Sequence, residues 1–340
     1  MVSNDFGSYS RCSCISSRCS PIGFVYAKRS NSSTAEYFLG GRGVGPWLTA
    51  LSAEASDMSG WLLMGLPGVA YFTGASDAMW TAIGLAIGTY LNWKFVAKRL
   101  RKYSVVAGDS ITLPEFYSKR FHDRKNIVST VAALIIMVFF CVYVGSCFVT
   151  CGKLFATLFG LDYATMMVLG ASSCFCTRWS AATFRWSPPT SCRACSCSSR
   201  WPPCSWLGRL GGRVDNTVAF LQNIPGFLSG TQIAVPLVDD AGRSSWRTGR
   251  PCSATREYPL ITIASMLAWG LGYFGMPQVL VRFMGIRSAD EVKKSRVIAV
   301  VWCVVSLACG ICIGLVGRVI IPVDFATQLR PKTCSSCCPR

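Results

Sequence analysis

Long apolar runs separated by short polar tracts dominate the chain. A helix of about 20 mostly apolar residues crosses a bilayer core of about 30 Å. Runs of this kind predict membrane-spanning helices at residues 46–71, 78–97, 127–151, 258–284 and 297–320. The pattern predicts an all-α, multi-pass integral membrane protein, whose surroundings are the lipid bilayer.

The first of these runs contains residues that do not suit an uninterrupted membrane helix. Ser59-Gly60 and Pro67-Gly68 predict two breaks, and Asp57 places a carboxylate at bilayer depth. Such a charge costs several kcal/mol unless it meets a cation, a partner or water. Asp57 is therefore a candidate functional residue, and the alternative of a structural hydrogen-bonding acid at a helix break stays open.

Composition and charge agree with a membrane protein. Hydrophobic residues make up 51% of the chain and charged residues 15%. The net charge of +18 is spread over short basic tracts between the apolar runs, so it predicts no nucleic-acid-binding face. The positive-inside rule places the basic tract 98–125 in the cytoplasm and the segment 214–240, which lacks Lys and Arg, outside.

Four segments differ in composition from the rest of the chain. They are rich in Cys, Ser, Arg, Trp and Pro, show no helical or strand periodicity, and hold most of the 19 cysteines. We set them apart as an aberrant N-terminus (1–24), two internal segments (172–213 and 241–256) and a tail (326–340). Two further membrane crossings are needed between residues 164 and 210 to keep the basic loops on one side.

The cysteines allow an alternative function, that of a non-transporting membrane metal or redox protein. Cys192, Cys195 and Cys197 superficially resemble a zinc ligand set, as do the cysteines near the end of the chain. However, the single histidine, His122, is far away and no second well-spaced pair is present. We therefore expect no metal centre of this kind. The chain also lacks a nucleophile elbow, a phosphate loop and a zincin helix, so it is not expected to be an enzyme.

A change of reading frame is the simplest explanation of the unusual segments. With suitable codons, residues 175–183 read in a shifted frame become Leu-Tyr-Thr-Leu-Val-Gly-Gly-Tyr, which is typical of a membrane helix. Residues 189–201 likewise become an apolar stretch. The hypothesis restores the two missing crossings, and the nucleotide sequence of the gene tests it.

The remaining segments resemble the solute:sodium symporter family, and its proline carriers in particular. The motifs that carry the resemblance are YFLGGR at 37–42, ALSAEASDMSGWLLMGLPG at 50–68, TLP at 112–114 and WGLGYFGMP at 269–277. Residues 25–171 correspond to the first helices of the transporter core, and residues 257–325 to the start of its second repeat. The resemblance implies a leucine-transporter-type inverted-repeat helix bundle with the second repeat incomplete.

The resemblance also implies a site at two broken helices. Na⁺, the co-transported ion, is expected at the carbonyls of Ala55 and Met58 with Asp57 essential for coupling. L-Proline, the expected substrate, is then bound near the break and in the later motif, by Ser59, Gly60, Trp269, Tyr273 and Pro277. Without the resemblance, these aromatic residues are equally well explained as a packed helix stripe.

The implied function is sodium-coupled proline uptake by alternating access across the cell membrane. Another small solute, such as pantothenate or a sugar, remains an alternative substrate. Three residues depart from the family pattern: Glu54, where a small residue is usual, and Met276 and Gln278, which replace polar neighbours. We expect the helix after residue 320 to supply hydroxyl ligands of the sodium site. Since the sequence becomes aberrant there, we expect the polypeptide as it stands not to transport.

Overall fold

The computed structural model of the protein describes residues 33–160, 162–181, 214–224, 226–236 and 253–320. Nearly all regular structure in this part of the chain is helical. The helices are α1 (Thr34–Leu39), α2 (Pro46–Asp57), α3 (Leu66–Thr73), α4 (Ala75–Leu91), α5 (Lys98–Val106), α6 (Leu113–Arg120), α7 (Ile127–Phe159), α8 (Tyr163–Ala181), α9 (Val214–Gln222), α10 (Leu260–Ala268), α11 (Pro277–Met284) and α12 (Val292–Ile320).

The described residues also form one small sheet. Strands β1 (Gln232–Pro236) and β2 (Ser253–Glu257) pair antiparallel, with Gln232 opposite Glu257. The sequence predicted an all-helical protein, and this hairpin is a local addition to it. Ile233 and Val235 in β1 and Thr255 in β2 are β-branched residues, which favour strands.

The first predicted span is a broken helix. Proline at the first turn starts α2, where its missing N–H costs nothing, and the helix ends at Asp57. Met58 is extended (φ −67°, ψ 100°), and a π-helical turn, Trp61–Gly65, leads into α3. The break predicted at Ser59-Gly60 is thus confirmed to within one residue. The break predicted at Pro67-Gly68 is wrong, because Pro67 lies in the first turn of α3, a position that tolerates proline.

A second broken helix follows the sheet. After α10 the chain tightens into a 3₁₀ helix, Trp269–Gly275, and Met276 is extended before α11 begins at Pro277. The axis bends by 49° at this point. Three glycines and one proline within nine residues explain the change of geometry, since glycine weakens a helix and proline favours the start of a new one. The two helix breaks implied by the family resemblance are therefore both present.

Length and composition test the five predicted spans. Ile127–Thr157 and Val292–Ile320 qualify as uninterrupted spans, and the bent pair Leu260–Gly275 with Pro277–Met284 qualifies as a third. The predicted spans 46–71 and 78–97 are not among them. The first is broken at Met58, and the second passes through a π-helical turn, Asn92–Ala97. Apolar side chains of α7 are exposed, Phe139 by 69% for example, as expected for a surface that faces lipid.

The described residues divide into two units. The first takes its described residues from Met1–Gly60, Thr89–Trp201 and Tyr273–Cys303. Its core joins α2 and α11, with Ala50 and Ala53 buried on one face of α2 and Trp93 against Phe283 at 4.4 Å between ring centroids. Small residues on α2 allow the close approach of helices that membrane proteins use in place of a hydrophobic driving force.

Arg42 ties together three parts of the first unit. Its guanidinium donates to the Ser104 hydroxyl at 2.9 Å, to the Ser110 carbonyl at 2.9 Å and to the Met284 carbonyl at 3.1 Å, and it pairs with Asp109 at 2.8 Å. Burial lowers the pKa of Arg42 from its usual value, and Asp109 partly opposes that effect. The neighbouring Val44 forms a parallel bridge with Ile286.

The second unit takes its described residues from Trp61–Gly88, Pro202–Gly272 and Val304–Arg340. Its helices touch at glycines: a Cβ on Gly88 would lie 2.3 Å from the carbonyl oxygen of Gly270, and one on Gly314 would lie 2.3 Å from that of Pro67. Near β1, the Trp80 indole donates to the Gly230 carbonyl at 2.7 Å. Such contacts are typical of small-residue helix packing in membranes.

Most of the segments that the sequence sets apart lie outside the described residues. This applies to residues 1–24, 182–213, 241–252 and 326–340. Residues 172–181 are described and continue helix α8. The predicted crossings beyond Ala181 and the reading-frame hypothesis consequently stay predictions.

Candidate functional site

The end of α2 exposes backbone oxygens beside a carboxylate. The N–H of Met58 donates to the Glu54 carbonyl at 3.0 Å, and this is the last bond of the α2 ladder. A helix end leaves its following carbonyls without intrahelical partners. Ala55 and Met58, whose carbonyls the sequence predicts as ligands, therefore lie at the point where α2 stops supplying donors. Both residues are half-buried.

Tyr273 connects the two broken helices within the first unit. Its hydroxyl is in polar contact with the Asp57 carboxylate, and only 5% of the residue is exposed. The backbone carbonyl of Tyr273 accepts from the Asn92 side chain at 2.8 Å. Two of the predicted site residues thus come into direct contact, although they are separated by more than 200 positions in the sequence.

Helix α7 forms another wall of the same region. The Tyr143 hydroxyl forms hydrogen bonds with Ser59 and Cys147. A Cβ on Gly60 would lie 2.2 Å from the Thr150 methyl group, so α7 approaches the break as closely as glycine permits. Tyr143 and Thr150 were not among the site residues predicted from the sequence. The signal was present, because Tyr143, Ser146 and Thr150 form a polar stripe at helical spacing on an apolar helix.

The other predicted substrate residues, Pro277 and Trp269, belong to different units. Pro277 is half-buried at the first turn of α11, in the first unit. Trp269 belongs to the second unit, where its ring stacks on Trp61 with 5.5 Å between centroids, and 52% of it is exposed. The structure therefore brings Asp57, Ser59, Gly60 and Tyr273 together in one unit, while the contact that it shows for Trp269 is with Trp61.

The residues that depart from the family pattern have defined contacts. Glu54 is almost completely buried, at 2% exposure, and Oε1 accepts from the Trp93 indole at 3.5 Å. Its other oxygen, Oε2, has no hydrogen-bond partner. The side chain of Gln278 donates to the Met276 sulfur at 3.0 Å. Glu54 thus adds a second buried carboxylate one turn before Asp57.

The donor set at the end of α2 suits a hard monovalent cation. It consists of backbone carbonyls and one carboxylate, and oxygen ligands of this kind are those that alkali and alkaline-earth cations prefer. A softer transition metal is not favoured there. Across the described ranges, His, Cys, Asp and Glu form no cluster of three or more that could hold a metal ion, and Cys192, Cys195 and Cys197 lie outside those ranges.

Comparison with known proteins gives the family. Residues 37–176 and 234–335 match the model of the sodium:solute symporter family. The chain belongs to this family. The match leaves out residues 177–233, which include most of the internal segment that the sequence sets apart. The resemblance found in the short motifs is therefore confirmed over most of the chain.

Two curated relatives are sodium/proline symporters of Staphylococcus aureus, from strains JH9 and NCTC 8325. Each is 38% identical to the chain over 321 residues, which is 92% of this chain and 56% of the relative. The chain thus spans a little over half the length of these symporters. In the family and in these relatives the described activity is transport.

A solved structure supports the fold. It is the substrate-bound, outward-open state of a Na⁺-coupled sialic acid symporter, with a TM-score of 0.65 and 17% identity, covering 94% of this chain and 61% of that one. At this identity the likeness shows the fold alone. The predicted leucine-transporter-type helical membrane fold is confirmed, and the protein is an integral membrane protein.

Proposed function

We propose that the chain carries the ion and substrate site of a sodium-coupled L-proline symporter of the cell membrane. The observation that carries the proposal is the polar contact between the Tyr273 and Asp57 side chains, which joins the two helix breaks. The similarity to sodium/proline symporters supports proline as the solute and a bacterial cell membrane as the location. The protein is a carrier and not an enzyme under this proposal.

The sodium ion binds at the end of α2 in this scheme. The carbonyls of Ala55 and Met58 are ligands, and Asp57 supplies the negative charge that makes the site attractive to a cation at bilayer depth. Because Tyr273 holds the same carboxylate, cation binding at Asp57 and the position of the second broken helix are linked. By thermodynamic reciprocity, proline then raises the affinity for sodium by the factor by which sodium raises the affinity for proline.

Proline binds beside the same breaks. Its carboxylate and ammonium groups suit the partial charges of the helix ends near Ser59 and Gly60. The aromatic side chain of Tyr273, with Pro277, suits the apolar pyrrolidine ring. Inward movement of one Na⁺ contributes about 2.3 kcal/mol for each 100 mV of membrane potential, which is available to drive proline uphill.

Binding of radioactive sodium and proline to the purified chain tests the proposal. Asp57→Asn keeps the shape of the side chain and removes its charge, and we expect it to weaken sodium binding at least tenfold and to abolish the sodium dependence of proline binding. Asp77→Asn is the matched control, because Asp77 also accepts a hydrogen bond from a tyrosine, Tyr258, but in the second unit. It should leave both affinities unchanged.

Competition by other solutes tests the substrate. Excess pantothenate or a sugar should not displace labelled proline, whereas displacement by either would assign the chain to a different solute. Unchanged sodium binding in the Asp57→Asn variant would contradict the proposed ion site. If the gene reads through into a longer product, uptake into membrane vesicles extends the same assays to the full carrier.

A further inference from the structure

Two buried oxygens in the first unit lack hydrogen-bond partners. They are Oε2 of Glu54 and the side-chain oxygen of Asn92. Glu54 is 2% exposed and Asn92 is 1% exposed, so bulk water does not satisfy either group. Buried polar atoms in folded proteins are nearly always paired, and an unpaired acceptor points to a bound water or ion. Two buried acceptors without partners in the same unit point to a ligand that donates hydrogen bonds or carries a positive charge.

The two oxygens belong to one polar cluster around Tyr273. Asn92 uses its NH₂ group to hold the Tyr273 carbonyl, which leaves its oxygen free to bind a ligand. The Glu54 carboxylate interacts electrostatically with Tyr273 and with Cys303. The Cys303 sulfur lies 3.8 Å from the hydroxyl of Thr89. Thr89 is 1% exposed and lies one helical turn before Asn92. The carboxylate, the amide oxygen and the hydroxyl thus come from α2, from the π-helical turn that follows α4 and from the end of α4.

The charge of this cluster is not balanced by ion pairs. Neither Glu54 nor Asp57 forms a salt bridge with any residue in the described ranges. Arg282, on α11, donates to the Ser56 hydroxyl at 3.3 Å. The Tyr273 side chain contacts Asp57, and the Trp93 indole donates only to Oε1 of Glu54. A buried carboxylate requires a partner charge or several hydrogen bonds, and Glu54 has one long hydrogen bond.

We propose that Glu54, Asn92 and Thr89 form a second site for a monovalent cation, Na⁺ under physiological conditions. The site is distinct from the one at the end of α2, since it uses side-chain oxygens of α2, of α4 and of the π-helical turn that follows α4, and not the carbonyls of Ala55 and Met58. One carboxylate with neutral oxygens matches a single positive charge and a hard cation. The cation satisfies both unpaired oxygens and balances the charge that Glu54 adds beside Asp57.

Sodium binding to the purified full chain in detergent tests the site, with ²²Na⁺ as the probe and N-methylglucamine to hold ionic strength constant. We expect Glu54→Gln to remove one class of bound Na⁺, with affinity lowered at least tenfold. Thr89→Val should lower it by about three- to tenfold. Asp57→Asn should leave this class within threefold. The control is Thr49→Val, which removes a buried hydroxyl from α2 that bonds to the Gly45 carbonyl and not to the cluster.

The thermal midpoint with and without sodium gives a second readout. A ligand that binds only the folded state raises the midpoint with its concentration. Sodium should raise the midpoint of the wild-type chain, and Glu54→Gln should abolish that part of the rise while being at least as stable in sodium-free buffer, because it removes a buried charge.

Several outcomes separate this site from the proposed transport site. If Asp57→Asn abolishes all sodium binding and Glu54→Gln leaves sodium binding unchanged, the second site is overturned and the proposed function stands. Equal loss in both variants shows a single shared site and also overturns it. Unchanged sodium binding in Glu54→Gln, with the sodium-dependent midpoint intact, overturns it whatever Asp57→Asn does.

Discussion

Replacing Gly60 with alanine tests the close approach of α7 to the break after α2. The new methyl group would lie 2.2 Å from the Thr150 methyl group and 2.8 Å from the Thr150 Cβ. Carbon atoms prefer a separation of about 3.5–4.0 Å, so one side of the contact must move by about 1.5 Å. Overpacking of this size costs about 1–3 kcal/mol. We expect Gly60→Ala to lower the free energy of unfolding by about 2 kcal/mol.

A second substitution shows whether the contact with Thr150 is the cause. Thr150→Ala removes the atom at 2.2 Å and leaves the one at 2.8 Å, so it should recover more than half of the loss caused by Gly60→Ala. Alone it breaks a hydrogen bond from the Thr150 hydroxyl to the Ser146 carbonyl, which is exposed. That change should cost no more than about 0.5 kcal/mol. The resulting coupling energy between the two positions is about 1 kcal/mol.

Denaturant unfolding in detergent micelles, followed by tryptophan fluorescence, measures these free energies. Gly145→Ala, on α7, is the control, because a Cβ there meets nothing within 4 Å. It should be neutral or stabilising by about 0.5–1 kcal/mol, as expected for glycine replaced inside a helix. A Gly60→Ala variant as stable as the wild type, or one that Thr150→Ala does not rescue, would refute the reasoning.

Three further predictions use the same unfolding assay. Arg42→Ala should lower the free energy of unfolding by about 2–3 kcal/mol, because it leaves the buried carbonyls of Ser110 and Met284 without a donor. Arg42→Lys should recover only part of this loss, since lysine lacks the planar set of donors. Equal stability of the lysine variant and the wild type would contradict this prediction. Gly270→Ala should cost more than Gly60→Ala, because its Cβ would lie 2.1 Å from the Gly84 backbone oxygen and no side-chain deletion can relieve the clash. Partial burial alone would raise the pKa of Glu115, but hydrogen bonds from Lys119 and the Ile111 N–H outweigh it and the pKa lies below its usual value. The stabilisation from Glu115 is therefore present above the unfolded-state pKa of about 4.3 and is lost as the pH falls through the lowered value. Glu115→Gln should lose less stability than the wild type between about pH 5 and pH 3, and identical acid profiles would contradict this assignment.

Local signals in the sequence were sufficient to predict the break at Ser59-Gly60, because these residues weaken the helix within two positions. The break before Pro277 was expected only from the family resemblance. Pro67 shows the limit of such signals, because proline breaks the interior of a helix but is tolerated in its first turn, where Pro67 lies. Position within the helix decides between these outcomes, and position depends on where the preceding break falls.

Contacts between helices could not be predicted from the same signals. The bond between Tyr143 and Ser59, and that between Asn92 and Tyr273, depend on how far each helix is rotated and shifted against its neighbours. In an apolar helix many rotations expose equally hydrophobic faces to lipid, so hydropathy fixes the span but not its orientation. The unusual carboxylate of Glu54 was visible in the sequence, whereas its unpaired oxygen became apparent only from the packing around Trp93.

The hydrogen bonds of Arg42 cannot all form until most of the described chain has been synthesised. The residue donates to the Met284 carbonyl, 242 positions later, and Val44 pairs with Ile286. At about 5–20 residues per second, a ribosome needs about 10–50 s to reach those partners after it has made Arg42. During that interval the later partners of Arg42 and Val44 have not yet been synthesised. The contacts that fix Arg42 and Val44 therefore form only after most of the described chain has been made.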